Sequence, residues 1–202
     1  MPLRSDIIGV VLAGGASSRM GTDKALLPLG GAPIITYAAK ALSSVFSEVV
    51  VSSGSGKRYA FLGLNEISDV FNDSGPLGGI HASLLAAERR PVFVVACDLP
   101  FVNRELVEYV LAHGEPTRTR IAESEGRLQP LFGLYDPNIL PHVEQCLQKG
   151  LLSVVKALRG FEHDVVPIGP LLSFYRPNMF QNINTLSDYH STSGSSFERH
   201  EP

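Results

Sequence analysis

Apolar and polar positions fall into alternating blocks along this 202-residue chain. Residues 6–12 end in Ile7-Ile8-Gly9-Val10-Val11-Leu12, an unbroken apolar run that predicts a strand covered on both faces. Residues 48–52 and 91–97 read the same way, and 91–97 (Pro-Val-Phe-Val-Val-Ala-Cys) is the clearest central strand. Helical patterns lie between them. Pro33 opens a helix over 34–46, a short helix is expected at 57–62, 76–89 is Ala/Leu-rich and helical, and Asn103 caps a helix running to His113. A weaker strand signal covers 65–71. Further strands are expected at 118–122, 129–135 and 164–168, with helices at 138–149 and 153–158. Such alternation predicts an α/β fold: a three-layer α/β/α arrangement around a mostly parallel twisted sheet. Residues 1–190 read as one domain, and the Ser-rich stretch 191–202 as a flexible polar tail.

Composition narrows the class. Hydrophobic residues make up 44%, enough for a sizeable core, and a net charge of −3 argues against a dedicated nucleic-acid binder. No apolar run approaches the ~20 residues of a membrane span, and no signal-peptide pattern opens the chain. A soluble, cytoplasmic protein is expected. Cys97 and Cys146 read as small buried hydrophobes rather than a disulfide or metal pair. The six histidines, at 81, 113, 142, 163, 190 and 200, show no metal-ligand spacing; of these only His81 follows a glycine-rich turn that could line a pocket.

The chemistry concentrates after the first strand, in Leu12-Ala13-Gly14-Gly15-Ala16-Ser17-Ser18-Arg19-Met20-Gly21-Thr22-Asp23-Lys24. Paired glycines let backbone N–H groups close on an anion, and Arg19 and Lys24 add fixed positive charge. The placement of Lys24 excludes a Walker A loop, and the glycine spacing excludes the dinucleotide fingerprint. In open parallel sheets, ligands bind beyond the carboxyl ends of the strands. Gly14 and Gly15, then Ser52 and Ser53, then Asp98 all fall there. On the residues alone, Asp98 is either a helix cap or a Mg²⁺ ligand against phosphate oxygens. Residues 73–79 (Asp-Ser-Gly-Pro-Leu-Gly-Gly) are either a plain turn or a loop over a base or second substrate. Asp69 is either a polar contact or a surface residue. Asn182 and Asn184, two apart, would point the same way in an extended segment; such a pair serves a turn, or binds a metal or a phosphate or pterin edge.

Taken together, the 12–24 motif, Gly75-Pro76-Leu77-Gly78-Gly79-Ile80, Cys97-Asp98-Leu99-Pro100 and Phe180-Gln181-Asn182-Ile183-Asn184-Thr185 resemble the molybdenum cofactor guanylyltransferases. These are nucleotidyltransferases with a Rossmann-like fold, and the likeness runs from about residue 7 to Tyr189. The sequence departs from the family pattern at Leu186, where the family has Pro, at Gly78, where it has Ala, and at Ser52 or Ser53, where a base-contacting Asn often stands. The resemblance implies that GMP moves from GTP onto the phosphate of molybdenum-bearing molybdopterin, with Mg²⁺ as cofactor. It implies that Leu12, Ala13, Gly14, Gly15, Ser52, Asp69 and Lys24 hold the nucleotide. Asp98 would hold Mg²⁺, and Arg19 and Lys24 would neutralise phosphate charge. Gly75, Gly78, Asn182 and Asn184 would lie toward the pterin. Molybdenum-insertion and molybdoenzyme chaperone proteins are implied partners. Two rival readings stand beside this one: a cytidylyltransferase of the same fold acting on molybdopterin or a small alcohol phosphate, and a non-catalytic nucleotide-binding or partner-docking domain. A dehydrogenase is more distant, because the spaced glycine fingerprint is missing.

Overall fold

A computed structural model describes residues 2–14, 23–54 and 57–183. The apolar run after Asp6 forms β1 (Ile8–Leu12), every residue of it buried. It pairs in parallel on both sides, with β4 (Val49–Gly54) and β6 (Val92–Ala96), so that Val10 faces Val50 and Val94. β5 (Asn65–Ser68) extends the sheet beyond β4, also in parallel. On the other side β8 (Arg127–Tyr135) runs antiparallel to β6, followed by β7 (Thr119–Ser124) and β9 (His163–Ile168). The order is β5-β4-β1-β6-β8-β7-β9, with β8 as the one reversed strand of the seven.

Side-chain alternation splits the core into two layers. Val11, Val51, Phe93 and Val95 face α1 (Ile35–Ser43) and α3 (Arg104–Ala112). Ile8, Val10, Leu12 and Val94 face α2 (Gly75–Ala86), α4 (Leu140–Gln148) and α5 (Val154–Leu158). The expected three-layer α/β/α arrangement is therefore present. Gly9 lets α1 come close: a Cβ there would sit 3.0 Å from the Phe46 ring.

Three local expectations are corrected. Pro33 does not open the helix; it closes a two-stranded hairpin, β2 (Pro28–Leu29) with β3 (Ala32–Pro33), and α1 starts at Ile35. The cause is Gly30-Gly31, whose positive φ values of 55° and 89° make a tight hairpin turn. The helix expected at 138–149 is split. A 3-10 turn over Pro137–Ile139, capped by Asp136, precedes α4. The short helix expected at 57–62 is a 3-10 turn over Ala60–Leu62 only. Asn103 caps α3 as expected, accepting from the Leu106 N–H at 3.0 Å. Neither cysteine is in a disulfide; Cys146 is buried and Cys97 partly so. Among the described residues, no helix is long and apolar enough to cross a membrane. The tail expected at 191–202 lies outside the described residues.

Candidate active site

The carboxyl ends of β1, β4 and β6 are held together by backbone bonds that carry the ladder past the strands. Ala13 N–H donates to Ser52 O at 2.8 Å, and Cys97 N–H to Leu12 O at 3.0 Å. Gly14 then passes close to the end of β4, where a Cβ would lie 3.2 Å from the Gly54 nitrogen. Glycine keeps that crossing free of a tight contact. Beyond it opens a cleft whose wall includes Leu12, Ala13, Gly14, Lys24, Pro76 and Asp98. Lys24 and Asp98, 74 positions apart in sequence, thus share one cavity. A larger cleft of about 560 Å³ lies between the ends of α2 and α4, but it offers only Glu88 and Arg89 as charged groups. Chemistry, not size, selects the smaller one.

Burial pushes the Asp98 carboxyl above the ordinary carboxylate range, while backbone hydrogen bonding and the Lys24 ammonium oppose the shift. A desolvated carboxylate of this kind is a hard oxygen donor, suited to a divalent cation. Among the described residues, no group of three or more His, Cys, Asp or Glu side chains could hold a metal on its own. An ion here would complete its shell with phosphate oxygens and water.

A second wall forms beside it. Asp69, just past β5, donates its N–H to Gly54 O at 2.9 Å. Its Oδ1 and the Ser52 Oγ are both buried without a hydrogen-bond partner. Burial raises the Asp69 carboxyl, and the nearby Ser52 hydroxyl opposes this. Two glycines of α2 close this wall. A Cβ on Gly79 would meet Ser52 Oγ at 2.7 Å, and one on Gly78 would lie 3.5 Å from Asp69 Oδ2. Gly75, at the start of α2, has φ of +60°. Gly78 is thus brought to Asp69, and Gly79 to Ser52. Asn182 is exposed and next to Ile183, whose N–H donates to the Asp98 carbonyl at 3.2 Å. Gly15, Arg19 and Asn184 lie outside the described residues. His81 is not on the Lys24–Asp98 cleft; it is buried in α2 with its ring edge-on to Phe71.

Sequence reasoning missed Arg58 and Tyr59. The Tyr59 hydroxyl donates to Asp23 Oδ2 at 2.8 Å, and Arg58 donates to the same oxygen at 3.2 Å and to Ser53 O at 2.7 Å. The one available signal was an Arg-Tyr pair directly after the Ser/Gly segment that follows the second strand.

Known proteins resemble this chain over most of its length. The model of the MobA-like NTP transferase domain matches residues 9–164. A protein of Pelotomaculum thermopropionicum named "Probable molybdenum cofactor guanylyltransferase" is 39% identical over 73% of this chain and 72% of its own length. The molybdenum cofactor guanylyltransferase of Vibrio campbellii is 34% identical over 87% of this chain and 89% of its own. The crystal structure of molybdopterin-guanine dinucleotide biosynthesis protein A from Archaeoglobus fulgidus superposes with a TM-score of 0.78 at 25% identity, covering 93% of this chain and 97% of that one. With Lys24 and Asp98 in one cleft at the strand ends, and with these relatives spanning most of the sheet, the chain belongs to the MobA-like NTP transferase family, among the molybdenum cofactor guanylyltransferases.

Proposed function

We propose that this protein transfers GMP from GTP to the terminal phosphate of molybdenum-bearing molybdopterin, giving the guanine dinucleotide and pyrophosphate. The observation that carries the reading is the shared cleft of Lys24 and Asp98 at the strand ends, in a chain of this family. The attacking phosphate oxygen is already ionised at neutral pH, so no general base is needed. That suits a cleft whose wall, among the described residues, offers Lys24, Asp23 and Asp98 and no histidine. Catalysis then rests on positioning and charge neutralisation. Lys24 holds the triphosphate, and Arg19 adds positive charge from the same sequence motif. Asp98 would hold Mg²⁺, which when bound supplies Lewis-acid neutralisation of the phosphate oxygens.

Base choice follows from the second wall. Guanine presents N–H donors on its Watson–Crick edge, and the ionised Asp69 carboxylate is a pure acceptor. Its Oδ1, buried without a partner, would find one in that edge. The face toward Asn182, joined to Asp98 by the Ile183 hydrogen bond, is left for the pterin phosphate. Proteins that deliver the metal-bearing pterin and receive the dinucleotide belong to the same proposal. The test is pyrophosphate release on mixing the protein with Mg²⁺, molybdopterin and either GTP or CTP. Release with GTP and molybdopterin together, and with neither alone, is the expected result. Equal or faster release with CTP would overturn the base assignment.

A further inference from the structure

Asp23 lines the same cleft as Asp98, so the two acids could be taken for a paired metal site. The hydrogen bonds say otherwise. Asp23 Oδ1 accepts the Ala25 N–H at 3.1 Å and so caps the short 3-10 turn Lys24–Leu26. Its Oδ2 is taken by the Tyr59 hydroxyl at 2.8 Å and by the Arg58 guanidinium at 3.2 Å. The carboxylate is committed on both oxygens, and its side chain is only 17% exposed.

Tyr59 reaches further. Its ring is fully buried, and its hydroxyl also lies 3.2 Å from the carbonyl of Ala13. Ala13 and Asp23 flank the glycine-rich segment in sequence, one before it and one after. The phenol therefore bridges the two flanks. Burial and the adjacent Asp23 carboxylate raise its pKa well above the ordinary tyrosine value, so the hydroxyl keeps the proton it donates. The bridge is anchored from behind, because Glu66 on β5 accepts the N–H groups of Arg58 at 3.1 Å and Tyr59 at 2.9 Å. Arg58 in turn grips Ser53 O at the end of β4. Every member is thus tied to the rigid sheet.

We propose that Tyr59, Arg58 and Asp23 form a clamp that fixes Lys24 relative to Asp98, making Tyr59 and Asp23 positioning residues for nucleotidyl transfer. Asp23 is not a metal ligand in this assignment. The proposal rests on the function given above. Lys24 follows directly on the residue that the clamp holds, and the turn carrying it is capped by that residue. Losing the Tyr59 hydroxyl leaves the ring packed but removes the shorter of the two bonds to Asp23 Oδ2, leaving Arg58 at 3.2 Å, so the origin of the ammonium is held less firmly. Displacement of a charge-neutralising group by a fraction of an ångström slows the step without weakening overall affinity in proportion.

The test is steady-state pyrophosphate release by the full chain and its Tyr59→Phe, Asp23→Asn and double variants, across a Mg²⁺ titration. We expect kcat to fall about tenfold or more in each single variant, with KM for GTP changed by less than about threefold. The double variant should be no slower than about the worse single, because both break one unit. The Mg²⁺ concentration for half-maximal rate should not move. A Tyr59→Phe protein with unchanged kcat and only a lower melting temperature overturns the proposal. Rescue of Asp23→Asn, but not Tyr59→Phe, by high Mg²⁺ also overturns it, assigning Asp23 to the metal. Asp23→Asn keeps side-chain shape and an acceptor for the cap, so the clamp stays testable if Tyr59→Phe fails to fold. Absence of GTP-dependent release by the unmodified protein would fault the function itself, not the clamp.

Discussion

The backbone N–H of Ile183 donates to the carbonyl of Asp98 at 3.2 Å, joining the C-terminal segment to the acid at the end of β6. The Ile183 side chain is buried with Leu29 and Ile34, beneath the Gly30–Gly31 hairpin. A single isoleucine therefore sets where Asn182 stands relative to Asp98. Ile183→Ala leaves a cavity and should cost about 2–4 kcal/mol of local docking energy. The expected outcome is a raised KM for molybdopterin with KM for GTP little changed, read from initial rates with each substrate varied. Equal loss toward both substrates would contradict the assignment of this face to the pterin.

Asp98 and Lys24 themselves should behave differently from such a docking residue. Asp98→Ala and Lys24→Ala are each expected to lower kcat by at least about 100-fold, the scale for removing one preorganised charge from a phosphoryl-transfer site. Circular dichroism and the melting transition should stay close to those of the parent protein. Asp98 is partly exposed at a strand end, and Lys24 lies on the cleft wall. Full activity in either variant would refute its role.

In the proposed function, base selection rests on Asp69. Asp69→Asn replaces a pure acceptor by a mixed donor and acceptor, and should cost about 1–3 kcal/mol of preference for GTP over CTP, or roughly 10–100-fold. The pH dependence has a defined sign. Burial raises this carboxyl above the ordinary value, so the acceptor is lost on acidification at a pH higher than for a free Asp. GTP affinity should therefore fall as pH descends through the raised value. The stability of the ligand-free protein should change the other way, since the protonated acid relieves the cost of burial and that gain is lost as pH rises. Calorimetric titration of GTP across pH checks the first and urea unfolding of the ligand-free protein the second, with Asp69→Asn flattening both curves.

Gly78 is the place where the chain departs from the family's alanine, and the structure supplies the reason. A Cβ at 78 would lie 2.7 Å from the Ser74 Cβ, an atom held directly on the backbone at the start of α2. It would meet Asp69 Oδ2 only in ordinary contact, at 3.5 Å. The helix-propensity gain of Gly78→Ala, about 1 kcal/mol, is set against an overpacking cost of about 1–3 kcal/mol. We expect net destabilisation and a raised KM for GTP. Adding Ser74→Gly should recover most of the KM, because it removes the atom that is struck. No recovery in the double variant would show that the crowding acts elsewhere.

What could be read from the sequence follows the reach of each interaction. β1 and β6 were legible because continuous Val and Ile runs bounded by polar residues admit few other structures. The meeting of Lys24 with Asp98 was legible through the strand-end rule, which needs only the order of elements. The reversal of β8 was not, since hydrophobic pattern carries no strand direction. The short Glu125-Gly126 turn joining it to β7, with φ of 54° and 72°, was the overlooked hint. The Gly30-Gly31 hairpin does carry a local signal, a glycine pair between short apolar flanks. The Tyr59–Asp23 bond spans 36 positions between two loops. No local period encodes such a contact; it exists only once β1, β4 and β5 have brought Ala13, Ser53 and Glu66 side by side.

His81 provides the last prediction, outside the cleft. It is 3% exposed, edge-on to Phe71 with ring centroids 5.1 Å apart, and its Nδ1 is buried without a partner. Burial lowers its pKa, and Glu144 offsets this only in part. The folded protein therefore resists protonation where the unfolded chain, with an ordinary His value of about 6.5, accepts it. For a depressed pKa the stabilising contribution is present above the unfolded value and is lost as pH falls toward the folded one. The slope is at most about 1.4 kcal/mol per pH unit for one proton. Urea unfolding between pH 7 and pH 5 should show this decline in the parent protein. His81→Leu should flatten it, since an apolar side chain of similar reach can pack against Phe71 without titrating. An unchanged slope in His81→Leu would mean that another group carries the acid sensitivity.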